Sequence, residues 1–169
     1  EELSSFQLHD TSRYHPHIGA ILNIKEDHID WHGSFDDYIN SKLKLASNQD
    51  ERDFLVINAE DEICQKLRNV FKAQIYEFSS RNVVVNGLFL DGNMISFVKG
   101  GCDIVEILDV RELSVIGRHN YENVMAAILL TYLYGLDLPE IVKAIKTFKA
   151  ISHRLEYVRT LSKVDFYND

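Results

Sequence analysis

Residues Ile18 to His32 read IGAILNIKEDHIDWH, and the change of character inside this stretch decides the fold. Ile18, Ala20, Ile21, Leu22 and Ile24 make a near-continuous apolar run, the pattern of a parallel strand covered on both faces. Directly after it Glu26, Asp27, His28, Asp30 and His32 crowd ionisable groups into one polar segment. Open α/β sheets bind ligands just beyond the carboxyl ends of their strands, so this loop is the first candidate site.

Working outward, the pattern repeats. Toward the N terminus, Phe6 and Leu8 among polar residues predict a strand end or short helix that turns at Pro16. On the other side, Ser34 can cap a helix over FDDYINSKLKLASN, with Asp36 and Asp37 in its first turn and lysines late. Phe54 to Ile57 reads as a strand, Asn58 to Asp61 as a turn, Glu62 to Phe71 as a helix and Gln74 to Phe78 as a strand. This order predicts an α/β fold with a mostly parallel, Rossmann-like sheet flanked by helices.

From Asn82 the period shortens. VVVNGLFLDGNMISFV holds two turn signals, Asn86-Gly87 and Asp91-Gly92, and Gly100-Gly101 precedes the run from Ile104 to Leu108. A small antiparallel β meander over about residues 82–110, set on the edge of the α/β unit, is the expectation. GRHNYENVMAAILLTYLYG then predicts a strongly apolar helix ending at Gly135, and Pro139 opens another, PEIVKAIKTF. HRLEYVRTLSKVDFYND reads as a pair of strands.

At 169 residues the chain suits one domain. With 18 basic and 26 acidic residues it carries a formal charge of -8, which argues against a nucleic-acid backbone as partner. No apolar run approaches the roughly 18 residues of a membrane span, so no membrane partner is expected and a cytoplasmic location is. Cys64 and Cys102 lack metal or redox spacing and read as small buried apolar residues. The chain opens with Glu1 rather than Met and closes at Asp169 straight after strand-like residues, so it is expected to be part of a longer protein.

Local chemistry leaves alternatives open. The loop carboxylates and imidazoles suit a divalent cation or a solvated turn. His28 and His32 have His-x-x-x-His spacing without the glutamate of a zinc peptidase. Asn120 and Asn123, behind Gly117, suit a helix cap or a ligand contact. His153-Arg154 suits an anion contact or, for Arg154, a surface pair with Glu156.

The motifs together are more specific than any one of them. ELSSFQL at Glu2 to Leu8, ILNI-x-x-DH-x-D-x-H at Ile21 to His32, Y-x-x-x-K ending at Lys42, G-x-HN-x-x-N-x-x-AA at Gly117 to Ala127, HRLE at His153 to Glu156 and the terminal Asn168-Asp169 occur in one order. That order resembles the central, ATP-binding domain of the Mur ligases over essentially the whole chain. Within the family, SSFQL looks like the form that joins D-glutamate to UDP-N-acetylmuramoyl-L-alanine in peptidoglycan precursor synthesis.

The resemblance implies roles. Glu2 would bind one Mg2+ and His28 a second, and Lys42 would be carbamylated, turning a cation into a metal-supporting carboxylate. Ser4 and Gln7 would lie near the muramoyl substrate. Asn120 and Asn123 would contact the adenine side of ATP, Arg154 its phosphates and Asp169 its ribose. The implied reaction is two-step: ATP phosphorylates the substrate carboxylate, and the amine of D-glutamate attacks the acyl phosphate.

One departure accompanies the matches. No Gly-Lys-Ser/Thr occurs in the chain, although the family's phosphate-binding loop should precede ELSSFQL. The expectation is a central domain truncated on its N-terminal side, without the family's UDP-binding and amino-acid-binding domains, and inactive alone. Two other readings use the same residues: the central domain of another Mur ligase or of a folylpolyglutamate synthase, and a non-catalytic α/β binding module.

Overall fold

Six strands in sequential order make one sheet, and its second strand shows why. The structure, a computed structural model, describes residues 1–149, 156–162 and 164–168. Strand β1 (Ile18–Ile21) lies parallel to β2 (Phe54–Asn58), and β2 parallel to β3 (Gln74–Ser79). Leu55, Val56 and Ile57 of β2 each expose 0% of their surface. Alternating side chains point to opposite faces, so Val56 joins one core while Leu55 and Ile57 join another.

Helices supply both coverings. α5 (Arg118–Leu133) and α6 (Leu138–Thr147) pack Met125, Ile128, Leu129 and Ile141 over the Val56 face. α3 (Phe35–Leu43) and α4 (Glu62–Leu67) bring Tyr38, Cys64 and Leu67 to the other. Each large apolar side chain so buried contributes about 1.5–3 kcal/mol before entropy is counted. α3 is capped as expected, with Ser34 Oγ accepting from the Asp37 N–H at 3.1 Å. α5 ends in a Schellman turn: Gly135, at φ +104°, donates to the Tyr132 carbonyl, and Leu136 donates to that of Thr131.

The short elements are α1 (Ser5–His9) and α2 (Ile29–His32), and β7 (Glu156–Leu161) pairs with β8 (Val164–Asn168) as the predicted strand pair. Helix α4 stops at Leu67, short of the predicted Phe71, and α3 stops at Leu43. Strand β1 covers only alternate positions, because Ile18 and Ala20 stay half-buried at one edge of the sheet and Leu22 is 39% exposed. Cys64 is buried as expected, whereas Cys102 is exposed in the turn after Gly101.

The antiparallel meander is present, and its start differs from expectation. Strands β4 (Gly87–Asp91), β5 (Met94–Lys99) and β6 (Asp103–Asp109) form two hairpins. Val83 to Val85 are not a strand, and Asn86-Gly87 is not a hairpin turn. Instead, the chain crosses from β3 to β4 without a helix and pairs them parallel, Glu77 opposite Gly87. Gly87 has φ +138°, and a Cβ there would fall 1.9 Å from the Glu77 carbonyl oxygen. Asn-Gly therefore marks a close backbone approach rather than a tight turn.

At the amino ends of β1 and β2 a buried carboxylate clasps the chain. Asp53 accepts from His15 Nε2 (2.6 Å), His17 Nδ1 (2.9 Å) and the Asp50 N–H (2.8 Å). The Asp50 N–H and the two imidazoles hold the Asp53 carboxyl far below the usual carboxylate range. Asp50, bonded by the Arg52 side chain, is lowered to about 2, as is Asp109 by Arg111.

Replacing Gly87 with alanine should abolish stable folding or lower the melting temperature sharply, because backbone atoms and not a flexible side chain block the new Cβ; a melt matching the parent would overturn the requirement. All three carboxylates have depressed folded values, so their stabilisation is complete above the usual carboxylate range and is lost as pH falls from about 4 toward about 2. Melts between about pH 7 and pH 2 should show this loss, with most of it from Asp53, since the exposed Arg52–Asp50 pair is screened by water. The Asp53→Asn variant should start less stable and lose less.

Candidate active site

The polar segment after β1 turns through His28, which adopts a left-handed backbone (φ 52°) as the N-cap of α2. That conformation costs a residue with a Cβ about 1 kcal/mol. The Asp27 side chain offsets it by accepting the His28 N–H at 2.8 Å. The His28 imidazole stays exposed, with Nε2 3.4 Å from Asp27 Oδ2 and its ring centroid 4.8 Å from that of Phe6.

Phe6 lies on α1, so this contact brings the ELSSFQL segment to the loop. Glu2 is exposed just ahead of α1. Ser4 and Gln7 form a capping box: Ser4 Oγ accepts the Gln7 N–H, while Gln7 Oε1 accepts both the Ser4 N–H (2.9 Å) and hydroxyl (3.0 Å). On the other side of the loop, Lys42 of α3 donates Nζ to the Asn23 carbonyl at 3.3 Å and stands 5.0 Å over the Tyr38 ring. Phe6 of α1 and Lys42 of α3 thus both reach this loop, the one at the His28 ring and the other at the Asn23 carbonyl.

His32 separates from His28 despite the shared spacing. It is buried, with Nε2 3.0 Å from Ser5 Oγ and Nδ1 3.5 Å from Ser41 Oγ, and so ties α1 to α3. Phe6, His9, Trp31 and Tyr38 surround its ring.

Two cavities flank the first turn of α5. One, of about 560 Å³, opens at the carboxyl ends of the strands: Asn23 and Ile24 follow β1, Asn58 ends β2, Arg81 follows β3, and His119 and Glu122 come from α5. The other, of about 460 Å³, is largely apolar and holds Asn120 and Asn123 beside Leu113, Val124, Ile145 and Phe148. Asn120 does not cap backbone N–H groups; its side chain donates to the Ile116 carbonyl at 2.7 Å. Arg154, Asp169 and His153 lie outside the described residues.

The sequence reading missed the polar lining of the first cavity. Glu60 accepts from Ser79 Oγ and the Ser80 N–H and pairs with Arg81 at 3.0 Å. The sequence signal is the polar Asn58, Glu60 and Asp61 at the end of a buried strand, a pattern that a turn alone also satisfies. Among the described residues, His15, Asp50 and Asp53 also place ligand atoms within 4.8 Å of one another. They sit at the opposite ends of the strands, and their carboxylates are already held by His15, His17 and Arg52.

The Mur ligase middle domain profile matches residues 1–131. The chain belongs to the Mur ligase family. Among similar proteins, UDP-N-acetylmuramoylalanine–D-glutamate ligase of Lachnospira eligens is 40% identical over 168 residues, 99% of this chain and 37% of that protein. The protein of the same name from Koribacter versatilis is 41% identical over 170 residues, again 99% of this chain and 37% of its own length. The chain therefore spans little more than a third of these relatives. Solved structures agree on the fold: MurF from Acinetobacter baumannii superposes with a TM-score of 0.65 at 22% identity, over 91% of this chain and 34% of that one. MurF ligase from Thermotoga maritima, solved in complex with ADP, gives 0.55 at 13% identity, over 90% and 35%.

Replacing His32 with alanine should cost about 2 kcal/mol or more, because a buried ring and its bonds to Ser5 and Ser41 are lost together. Amide exchange should quicken first in α1, which the imidazole tethers; a loss spread evenly over the chain would count against that role.

Proposed function

We propose that the chain is the central domain of an ATP-dependent ligase that joins D-glutamate to UDP-N-acetylmuramoyl-L-alanine through an acyl phosphate. The observation that carries this reading is identity of about 40% to D-glutamate ligases across 99% of the chain. Phe6 of α1 beside the His28 ring and Lys42 of α3 at the Asn23 carbonyl bring these three elements together after β1, which supports the reading.

A divalent ion suits part of this donor set. Glu2 offers a hard carboxylate oxygen and His28 an exposed imidazole nitrogen. Lys42 as an ammonium ion has no lone pair and repels a cation. Carbon dioxide added to the neutral amine forms an N–C bond, releases a proton and leaves a carbamate oxygen able to hold or support the metal. Bound magnesium would supply charge neutralisation at the phosphoryl oxygens.

The remaining work falls to the chain's own groups. Both lone pairs of Gln7 Oε1 are occupied by Ser4, so Gln7 would meet the muramoyl substrate through its amide nitrogen. Asn120 and Asn123 would face the adenine, and Arg154 and Asp169 the phosphates and ribose. No side chain needs to act as nucleophile, because the amine of D-glutamate attacks the activated carbonyl.

The test uses the intact polypeptide that carries this segment. With ATP, UDP-N-acetylmuramoyl-L-alanine and D-glutamate it should release phosphate, and Lys42→Ala should lower turnover by about a hundredfold or more. Release with a different amino acid in place of D-glutamate would overturn the specificity. The 169-residue chain alone, which holds no Gly-Lys-Ser/Thr, should release none; turnover by it would overturn the dependence on further segments.

A further inference from the structure

Helix α5 starts without a side-chain cap at Gly117, yet its first two turns carry Asn120 and Asn123, whose placement requires a fixed helix end. Among the described residues, the Asn120 side chain bonds locally, to Ile116. The connection to the sheet comes from Glu122. Its Oε1 accepts from the Ser80 hydroxyl at 2.6 Å, and its Oε2 lies 3.4 Å from Asn58 Nδ2. Ser80 and Asn58 stand at the carboxyl ends of β3 and β2, and both are buried.

Glu122 shares a helix face with Met125, Ala126 and Leu129, which pack on the sheet, at spacings of three, four and seven. It thus continues that apolar stripe with a polar anchor. Asn120, Asn123 and Ala127 share the adjoining face, which lines the apolar cavity. Rotation or lifting of the first turn would move the asparagines directly.

The anchor is itself braced. Asn58 Oδ1 accepts the Glu60 N–H at 2.9 Å, Glu60 Oε1 lies 3.1 Å from the Ser80 hydroxyl, and Arg81 pairs with Glu60. One serine hydroxyl has one proton, and the shorter contact, to Glu122, takes it.

We infer that Glu122 is a positioning residue for nucleotide binding: through Ser80 and Asn58 it sets the angle at which the first two turns of α5 present Asn120 and Asn123. This rests on the proposed ATP-binding role of the asparagine pair. Steady-state kinetics of the intact protein test it. Glu122→Ala should raise KM for ATP about tenfold with kcat within about twofold, the signature of lost binding shared by ground and transition states. Glu122→Gln, which keeps an acceptor toward Ser80, should return KM to within about threefold of the parent. Ser80→Ala, which removes the partner hydroxyl, should shift KM in the same direction and covers the case in which Glu122→Ala does not fold.

An unchanged KM in both Glu122→Ala and Ser80→Ala, or a kcat loss without a KM change, would overturn the inference. Asn123→Ala separates the two levels. If it raises KM for ATP while the Glu122 and Ser80 variants do not, the positioning role alone fails. If no variant, including Asn120→Ala, moves KM for ATP, the nucleotide reading of the asparagines fails as well.

Discussion

Burial of β2 on both faces is the constraint from which the rest follows. A strand whose Leu55, Val56 and Ile57 are all sealed from water leaves no lateral position for polar chemistry. Charged groups in such a layered fold collect at the strand ends, where backbone direction makes the two ends unequal. At the amino ends the protein places a clasp, Asp53 between two histidines. At the carboxyl ends it places the candidate site, assembled from the β1 loop, α1, α3 and the start of α5.

That site is held by indirect means. Neighbouring groups fix several of its elements. Phe6 carries the α1 segment to His28, His32 links α1 to α3, and the Asn23 carbonyl holds Lys42. Such an arrangement leaves Glu2, His28 and part of Lys42 open to incoming groups while the framework beneath is buried. It suits chemistry that depends on placing charges more than on a reactive side chain.

Much of the fold was legible because apolar runs and turn residues repeat on the strand and helix periods. The β1 run, the Ser34 cap and the Gly135 terminus were each readable from a few residues. Asn86-Gly87 misled because a positive-φ glycine serves a hairpin and a close strand approach equally, and only tertiary packing distinguishes them. For the site, His28 and His32 look equivalent in sequence; burial alone assigns one to the surface and the other to the framework. Glu60, Ser80 and Glu122 are far apart in the chain, so their meeting could not be read from any local pattern.

The meander at the far side of the sheet has a consequence for how copies of the molecule meet. Among the described residues strand β6 is the last at that edge, with Ile104 and Val105 both more than half exposed on it. Such an edge invites a second copy to add on. Asp103, Glu106 and Asp109 punctuate the same strand, so two β6 edges laid together would bring acid against acid with no basic residue of their own to relieve it. The strand that completes the sheet thereby also guards it against growing.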